Sequence, residues 1–359
     1  MGKIVAGFKP SRFWNKLAPA ESGTDEILSN AGQGELSLGE IKALLSSPAS
    51  DWPDIFETAD KVKQKFFGKK MFFYVPLYIS SFCADNCLYC DYRRENPALP
   101  RKRLGFDEFR AEADYLDSLG YSRIELVSGS DPLFPFERLL KFTKHLAGCG
   151  KRVLMNNRSL KYEEYAELKQ AGLSESWLFM ETYDPVVYGA NHPPGPKQDY
   201  QYRLKSYEWM GKAGLDIGVA FLSGLSGDWK SEVLSVIAHA KHLRKKYGSR
   251  MAFSTPRFKH AFNAPLSDAP YSVPDDAFRL TVALYRLALN DCMINVSTRE
   301  PIGLLEKLWK GGASLTNPEA ASIPGGYTLG VKGSQFAHFS YSQDLFVSRI
   351  KKMGLTPIL

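Results

Sequence analysis

Three cysteines that crowd into eight positions constrain this chain more than any other feature of it. Cys83, Cys87 and Cys90 are spaced as C-x3-C-x2-C and come just after an apolar, β-branched run at 73–80. An electron-transfer [4Fe–4S] cluster usually takes four cysteine ligands, so three thiolates hold three corners of a cubane and leave one iron open. The spacing therefore predicts a [4Fe–4S] cluster whose open iron binds a small molecule.

The same cysteines fit other kinds of site less well. A zinc ion would need a fourth ligand, and no second C-x2-C or suitably spaced His supplies one. The chain has five cysteines, an odd number that suits a reducing compartment better than a disulfide framework. Cys149 and Cys292 are predicted to be small buried hydrophobes. Tyr89, just before the third cysteine, can either stack on an adenine or serve as a packing aromatic.

The pattern of apolar runs predicts an α/β fold. Strand candidates alternate with amphipathic helical stretches such as 107–119 and 275–289, and glycines recur where these helices should end. Such units build a parallel sheet, and seven or eight of them close into a TIM-type (β/α)8 barrel. An open doubly wound sheet is the alternative, although no glycine-rich dinucleotide fingerprint follows the first strand. The strand candidates are 73–80, 123–128, 152–157, 176–181, 217–222, 251–256 and 292–298.

Three regions are expected along the chain. Residues 1–70 form an N-terminal helical extension, in which Ser37 and Glu40 make a capping-box pattern. Residues 71–330 form the barrel, and residues 331–359 form a C-terminal segment that closes it.

Polar residues gather where the strand candidates end. A barrel of this type carries its chemistry at the C-terminal ends of its strands, so this placement supports the barrel. Glu181 ends an otherwise apolar run, and a charge buried in this way is usually functional or paired. The residues that end or follow strand candidates are Cys83, Ser130, Asp131, Asn156, Asn157, Glu181, Arg257 and Arg299.

Composition narrows the class of protein further. With 359 residues, 44% of them hydrophobic, the chain can bury a sizeable core. Lys and Arg outnumber Asp and Glu by 46 to 39, but the basic residues are scattered, which argues against a nucleic-acid groove. No apolar run reaches the length of a membrane span, and the N-terminus lacks the apolar core of a secretory signal. A cytoplasmic location is expected.

Further motifs accompany the cysteines from about residue 72 onward. They are Pro76-Leu77-Tyr78-Ile79-Ser80, Glu181-Thr182-Tyr183-Asp184, Gly195-Pro196-Lys197-Gln198-Asp199-Tyr200 with Arg203, Gly224-Leu225 with Asp228-Trp229, Thr255-Pro256-Arg257, Ser297-Thr298-Arg299-Glu300 and Pro324-Gly325-Gly326-Tyr327. Together they resemble the aromatic amino acid lyase branch of the radical S-adenosylmethionine (SAM) enzymes. That branch includes 2-iminoacetate synthase, the tyrosine lyase of [FeFe]-hydrogenase maturation and the tryptophan lyase that makes 3-methyl-2-indolic acid.

The resemblance implies a set of SAM contacts beside the cluster. Glu181 and Arg203 would contact SAM, with Arg203 suited to grip the methionyl carboxylate in a bidentate way. Asn156 would face SAM from the end of its strand. The structural alternatives are an ion pair of Glu181 with Arg203 or Lys197, and a turn-forming role for Asn156.

The resemblance also implies a site for an amino-acid substrate. Arg299 would clamp the substrate carboxylate, with Ser297 and Thr298 as hydroxyl donors, and Arg257 would help to position the substrate. The alternative places Arg299 in a structural network with a residue such as Glu300.

The chain departs from the family pattern in three places. Relatives usually have Gly-Glu after the second strand, whose carboxylate holds the methionyl ammonium, and here Ser130 and Asp131 follow Gly129. Ser130 with backbone carbonyls, Asp131, or another arrangement would have to serve instead. Relatives also commonly have Asn in the place of Ser81. No cysteine follows Cys292, so the resemblance implies neither a second cluster nor the production of CO and cyanide on one.

The implied reaction is the reductive cleavage of SAM to a 5′-deoxyadenosyl radical, followed by Cα–Cβ cleavage of tyrosine to dehydroglycine and p-cresol. The electron donor would be a flavodoxin or a ferredoxin-type protein, and a further protein partner would come from the same biosynthetic pathway. Rearrangement of tryptophan, or of another small molecule, is the alternative reaction. A scaffold that binds SAM and the cluster without catalysis is the alternative that is not an enzyme.

Overall fold

The computed structural model describes residues 17–359. Within this range three α-helices precede the sheet: α1 (Thr24–Asn30), α2 (Leu38–Ser46) and α3 (Trp52–Phe67). The predicted capping box is present at the start of α2, where Ser37 Oγ accepts from the backbone N–H of Glu40 and the Glu40 carboxylate accepts from the backbone N–H of Ser37. The first sixteen residues of the expected helical extension lie outside the described residues.

Ten strands form one sheet in the described part of the chain, and every pair is parallel. The order across the sheet is β10-β1-β9-β8-β7-β6-β5-β4-β3-β2. The strands are β1 (Lys70–Phe73), β2 (Val75–Ser80), β3 (Arg123–Ser128), β4 (Arg152–Asn156), β5 (Leu173–Glu181), β6 (Asp216–Phe221), β7 (Met251–Ser254), β8 (Met293–Ser297), β9 (Leu315–Asn317) and β10 (Thr356–Ile358).

The sheet curls round on itself, so that β2 at one end and β1, the second strand from the other end, are consecutive in the chain. Only Tyr74 separates β1 from β2, yet β1 pairs with β9 while β2 pairs with β3. Counting β1 and β2 as one position, the sheet runs through eight strand positions before it returns to its start. This is the TIM-type arrangement that the sequence predicts.

Helices cover the outer face of the sheet between successive strands. Their apolar faces pack on the outward side chains of the strands in one continuous core. They are α4 (Phe106–Ser118), α5 (Phe136–Gly148), α6 (Tyr162–Gln170), α7 (Pro185–Asn191), α8 (Tyr200–Lys212), α9 (Trp229–Tyr247), α10 (Asp275–Ala288), α11 (Ile302–Lys310) and α12 (Gln343–Lys352). No described helix has both the length and the apolar character needed to cross a membrane.

The seven predicted strand segments all contain observed strands, but β1, β9 and β10 were not predicted, and only Phe73 of β1 falls within a predicted segment. These strands are only three or four residues long, which is too short for a periodic apolar signal to emerge. The strand β10 pairs with β1, and Ser122 Oγ donates to the carbonyl of Leu359, so the C-terminal segment lies against the start of the barrel. The prediction for Cys149 is wrong: it is exposed, because it caps the end of α5, whereas Cys292 is buried as predicted.

Candidate active site

A cavity of about 200 Å³ lies at the C-terminal ends of the strands. All the predicted site residues except Arg257 line it. Those that do are Cys83, Cys87, Tyr89, Cys90, Ser130, Asn156, Glu181, Arg203, Ser297, Thr298 and Arg299. Because parallel strands bring their C-terminal ends to one edge, residues more than 200 positions apart meet in a single space.

The three cysteines face this cavity from the loop after β2. Cys83 Sγ accepts a hydrogen bond from the backbone N–H of Ser130 at 3.3 Å, and Cys90 Sγ accepts one from Gln335 Nε2 at 3.4 Å. Burial raises the pKa of Cys83 to about 12 and also raises the pKa values of Cys87 and Cys90. Ligation to a cation removes the proton from such thiols, and the two N–H donors then stabilise the sulfur charge.

The cysteine loop is held by two partly buried arginines and one buried carboxylate. The guanidinium of Arg101 donates to the carbonyls of Ser81, Tyr92, Arg93 and Asn96. Behind the loop, the fully buried Asp131 carboxylate pairs with Arg103 and accepts from Ser80 Oγ. These contacts fix the direction of the loop before any cofactor binds.

The donor set suits a cubane better than a single zinc ion. Among residues 17–359 no group of three or more His, Cys, Asp or Glu side chains is arranged around one ion position. In a cubane each thiolate binds a different iron, so its cysteines need not converge on one point. The three thiols, their N–H donors and the adjoining cavity therefore fit a [4Fe–4S] cluster with an open iron.

Glu181 and Lys197 form an ion pair at the mouth of the barrel. Glu181 Oε1 lies 2.6 Å from Lys197 Nζ, and neither residue bonds to Arg203. Glu181 also has a positive φ of 67°, which is uncommon for a residue other than glycine and often marks a functional position. Of the two pairs considered from the sequence, the structure therefore contains the one with Lys197.

Tyr89 is anchored through its hydroxyl group. His192 Nδ1 lies 2.7 Å from the carbonyl of Tyr188 and donates to it, so His192 Nε2 is the acceptor nitrogen of a neutral imidazole. Burial lowers the pKa of His192 to about 2, which keeps the ring neutral. Tyr89 therefore donates to His192 Nε2 at 2.7 Å and accepts from Lys197 Nζ at 3.1 Å. These two hydrogen bonds fix the ring of Tyr89 at the cavity wall beside the cysteines.

Arg203 and Asn157 bring further donors to this side of the cavity. Arg203 donates to the carbonyl of Phe179 and to Ser159 Oγ, which leaves part of its guanidinium free for a ligand. Asn157 Oδ1 accepts from Ser128 Oγ and from the backbone N–H of Arg158, while its buried Nδ2 has no partner among the described residues. Asn157 was noted only as a strand-end residue, and the geometry adds it beside Asn156.

The structure separates the two residues considered for the role of the missing Glu, Ser130 and Asp131. Ser130 lines the cavity, and its carbonyl accepts from the backbone N–H of Ala84. Asp131 does not line the cavity, because its carboxylate is turned toward Arg103 and Ser80. Asp131 is therefore not positioned to replace the missing carboxylate.

Arg299 presents a guanidinium to the cavity from the end of β8. No hydrogen bond or ion pair joins this guanidinium to another described residue, and the group lies over the Phe336 ring at 3.4 Å from its centroid. Glu300, its neighbour, is engaged by Arg257 and Lys259 instead. Arg257 also pairs with Asp275, which explains why it lies away from the cavity.

Several cavity residues were missed in the sequence. Glu125 and Asn295 interrupt apolar strands, as Glu181 does, and that signal could have identified them. Asn317 carried no signal, because β9 was not recognised. Gln335 and Phe336 lie in a segment without periodicity and reach the cavity through the tertiary fold alone.

Comparison with known proteins agrees with this geometry. The family model described as "Radical SAM superfamily" matches residues 77–240. The 2-iminoacetate synthase of Escherichia coli (strain K12) is 31% identical over 92% of this chain and 88% of its own length.

Two solved structures of HydG, a maturase of the [FeFe]-hydrogenase, share the fold. One has a TM-score of 0.87 and 30% identity over 94% of this chain and 77% of its own length. The other, from Carboxydothermus hydrogenoformans, has a TM-score of 0.83 and 33% identity over 93% of this chain and 78% of its own. The chain therefore belongs to the radical SAM superfamily of enzymes that use a [4Fe–4S] cluster and SAM, and within it to the family of 2-iminoacetate synthase.

Proposed function

We propose that this enzyme cleaves the Cα–Cβ bond of tyrosine to give dehydroglycine and p-cresol. When bound, the cluster and SAM supply a 5′-deoxyadenosyl radical after one electron arrives from a reductant. The hydrogen atom lost from the substrate amino nitrogen would be taken up in 5′-deoxyadenosine, and the Cα–Cβ bond of tyrosine would then break. The 4-hydroxybenzyl radical that leaves needs one more electron and one proton to become p-cresol. The relative's name, 2-iminoacetate synthase, gives dehydroglycine as that protein's product.

The unpaired guanidinium of Arg299 carries the proposal for an amino-acid substrate. Arginine presents a planar fork that matches a carboxylate, and a partly buried cation that no described carboxylate pairs with is suited to an anionic ligand. Ser297 and Thr298 line the cavity next to it and supply hydroxyl groups. Arg257 holds Glu300 away from Arg299, so we assign to it an indirect part in positioning the substrate.

The other side of the cavity would hold SAM. Cys83, Cys87 and Cys90 would bind the cluster, and Tyr89 offers its ring face to the adenine. Arg203 has free donors for the methionyl carboxylate, while Glu181, Asn156 and Ser130 supply polar groups around it. The surrounding barrel would exclude water and orient the substrate toward C5′ of SAM, where the radical forms.

The enzyme takes an amino-acid substrate and a reductant, and we propose a flavodoxin or a ferredoxin-type protein as the reductant. A further protein partner in the same pathway is also part of the proposal. None of the five cysteines is joined in a disulfide, which supports the proposal of a reducing, cytoplasmic location. For the domain organisation we propose an N-terminal extension at 1–70, a barrel at 71–330 and a closing segment at 331–359.

The test is product analysis with the reconstituted enzyme, SAM and dithionite under anaerobic conditions. With tyrosine we expect p-cresol and 5′-deoxyadenosine to form in parallel. Release of 5′-deoxyadenosine without p-cresol would refute the lyase activity. A faster release with tryptophan than with tyrosine would favour the tryptophan reaction instead.

A further inference from the structure

Four polar side chains form the bottom of the cavity, below the level of Arg299. Tyr74, Glu125, Ser254 and Asn295 each point into the barrel, each is at least nine-tenths buried, and all of them line the cavity. We call this group the polar floor. Neither the SAM contacts nor the carboxylate clamp of the proposed function uses any member of it.

The hydrogen bonds of the polar floor leave one acceptor free. Asn295 Nδ2 donates to Tyr74 Oη at 3.0 Å and to Ser254 Oγ at 3.1 Å, which uses both amide hydrogens. Asn295 Oδ1 is buried and has no partner among the described residues. A buried acceptor without a donor costs free energy, so this oxygen is placed to bind a donor that enters with a ligand.

The polar floor is close to neutral at pH 7. Burial, and next the nearby Glu175 carboxylate, raises the pKa of Glu125 to about 8. A mostly protonated Glu125 favours a neutral hydroxyl over a cation above it, because no full negative charge faces the ligand.

The depth of the floor matches the length of an aromatic amino acid. Asn295 lies two residues before Ser297 on β8, and two residues of a strand span about 6.6 Å. A substrate whose carboxylate lies at Arg299 and Ser297 would therefore bring the far end of its ring to the level of Asn295. The aromatic side chains of Tyr78 and Trp177 line the cavity with these residues.

Building on the proposed function, we propose that the polar floor binds the phenolic hydroxyl of tyrosine, with Asn295 Oδ1 as the acceptor. The floor then selects aromatic amino acids that carry a hydrogen-bond donor at the far end of the ring. Phenylalanine would leave the amide oxygen unpaired, and a site built to bond a substrate hydroxyl rejects the analogue that lacks it. We expect a preference for tyrosine over phenylalanine on the order of 10- to 100-fold in binding.

The wild-type holoenzyme tests this directly. Tyrosine, phenylalanine, 4-aminophenylalanine, 4-methoxyphenylalanine and lysine are titrated calorimetrically into cluster-loaded enzyme with SAM and no reductant, so no turnover occurs. We expect tyrosine and 4-aminophenylalanine, which carry a donor, to bind at least tenfold more tightly than the two rings without one. Equal affinities across the four rings, or tighter binding of lysine, would overturn the proposal.

A matched pair of variants assigns the effect to Asn295. Asn295→Leu should remove the preference for tyrosine while phenylalanine binds as well as before or better. Asn290→Leu is the control, because Asn290 is also buried with an unpartnered Oδ1 but lies outside the cavity, and it should keep the preference. An unchanged preference in Asn295→Leu would refute the role of this amide. If Asn295→Leu does not fold, the ligand series still decides.

The outcomes separate this inference from the lyase proposal. Selective binding of tyrosine without p-cresol formation would refute the lyase activity and leave the polar floor standing. Formation of p-cresol together with equal binding of tyrosine and phenylalanine would refute the polar floor and leave the lyase activity standing.

Discussion

Replacing Arg299 tests the carboxylate clamp most directly. The guanidinium is partly buried, lies over the Phe336 ring and has no hydrogen-bond partner among the described residues, so it can meet a carboxylate without first breaking another bond. A hydrogen bond to a charged group contributes about 1.5–3 kcal/mol, and a bidentate clamp makes two. Arg299→Lys keeps the charge and loses one of them, whereas Arg299→Gln loses the charge as well.

The expected loss of binding free energy can be converted into a change in the KM for tyrosine. About 1.5–3 kcal/mol corresponds to a rise of roughly 10- to 150-fold in the KM for tyrosine with Arg299→Lys. Arg299→Gln should raise it further. Because the clamp binds the end of the substrate that does not react, kcat should fall less than kcat/KM.

The assay follows 5′-deoxyadenosine and p-cresol against tyrosine concentration, with the KM for SAM measured in parallel. Arg279→Lys serves as the comparison and should leave the KM for tyrosine unchanged, since Arg279 pairs with Asp276 and lies outside the cavity. A KM for tyrosine that stays within twofold of wild type in Arg299→Lys and Arg299→Gln would refute the clamp. A rise in the KM for SAM alone would place Arg299 in the SAM site instead.

Two further predictions concern the cysteine loop. Gln335→Leu removes the N–H donor to Cys90 Sγ and should shift the cluster midpoint potential to more negative values, as measured by a redox titration followed by electron paramagnetic resonance. Gln343→Leu, which alters a glutamine outside the cavity, should leave the potential unchanged, and equal potentials in both variants would contradict the prediction. Asp131→Asn should lower the free energy of unfolding by about 3 kcal/mol in urea, because it leaves Arg103 with a neutral partner. The pKa of Asp131 is held below its ordinary value by bonds from Arg103 and Ser80 that outweigh burial, so its stabilisation is complete above about pH 4 and is lost as the pH falls further. A difference between wild type and Asp131→Asn that does not shrink on acidification would refute this account.

Local chemistry made much of the site predictable. The cysteine spacing, the apolar runs and the polar residues that end them are all encoded within a few neighbouring positions, as is the capping box at Ser37. The strands Arg123–Ser128 and Arg152–Asn156 show how closely a strongly apolar run marks its own boundaries. The barrel topology then places the ends of such strands together without further information.

Other features depend on contacts between distant residues and could not be read locally. The sequence offered Glu181 two partners, and only the folded chain brings Lys197 within 2.6 Å of it. Asp131 follows β3 as a candidate ligand would, yet Arg103 and Ser80 turn it away from the cavity. The short strand β9 carries Asn317 into the barrel wall with no periodic signal of its own.

By itself, the sequence determined that this protein has a three-cysteine cluster loop on a parallel α/β barrel with polar strand ends. Those features arise from spacing and periodicity, which are properties of neighbouring residues. Only the tertiary structure decided which charges are paired and which are free. Among residues 17–359 it left the guanidinium of Arg299 and the amide oxygen of Asn295 without hydrogen-bond partners, because pairing is settled by residues far apart in the chain.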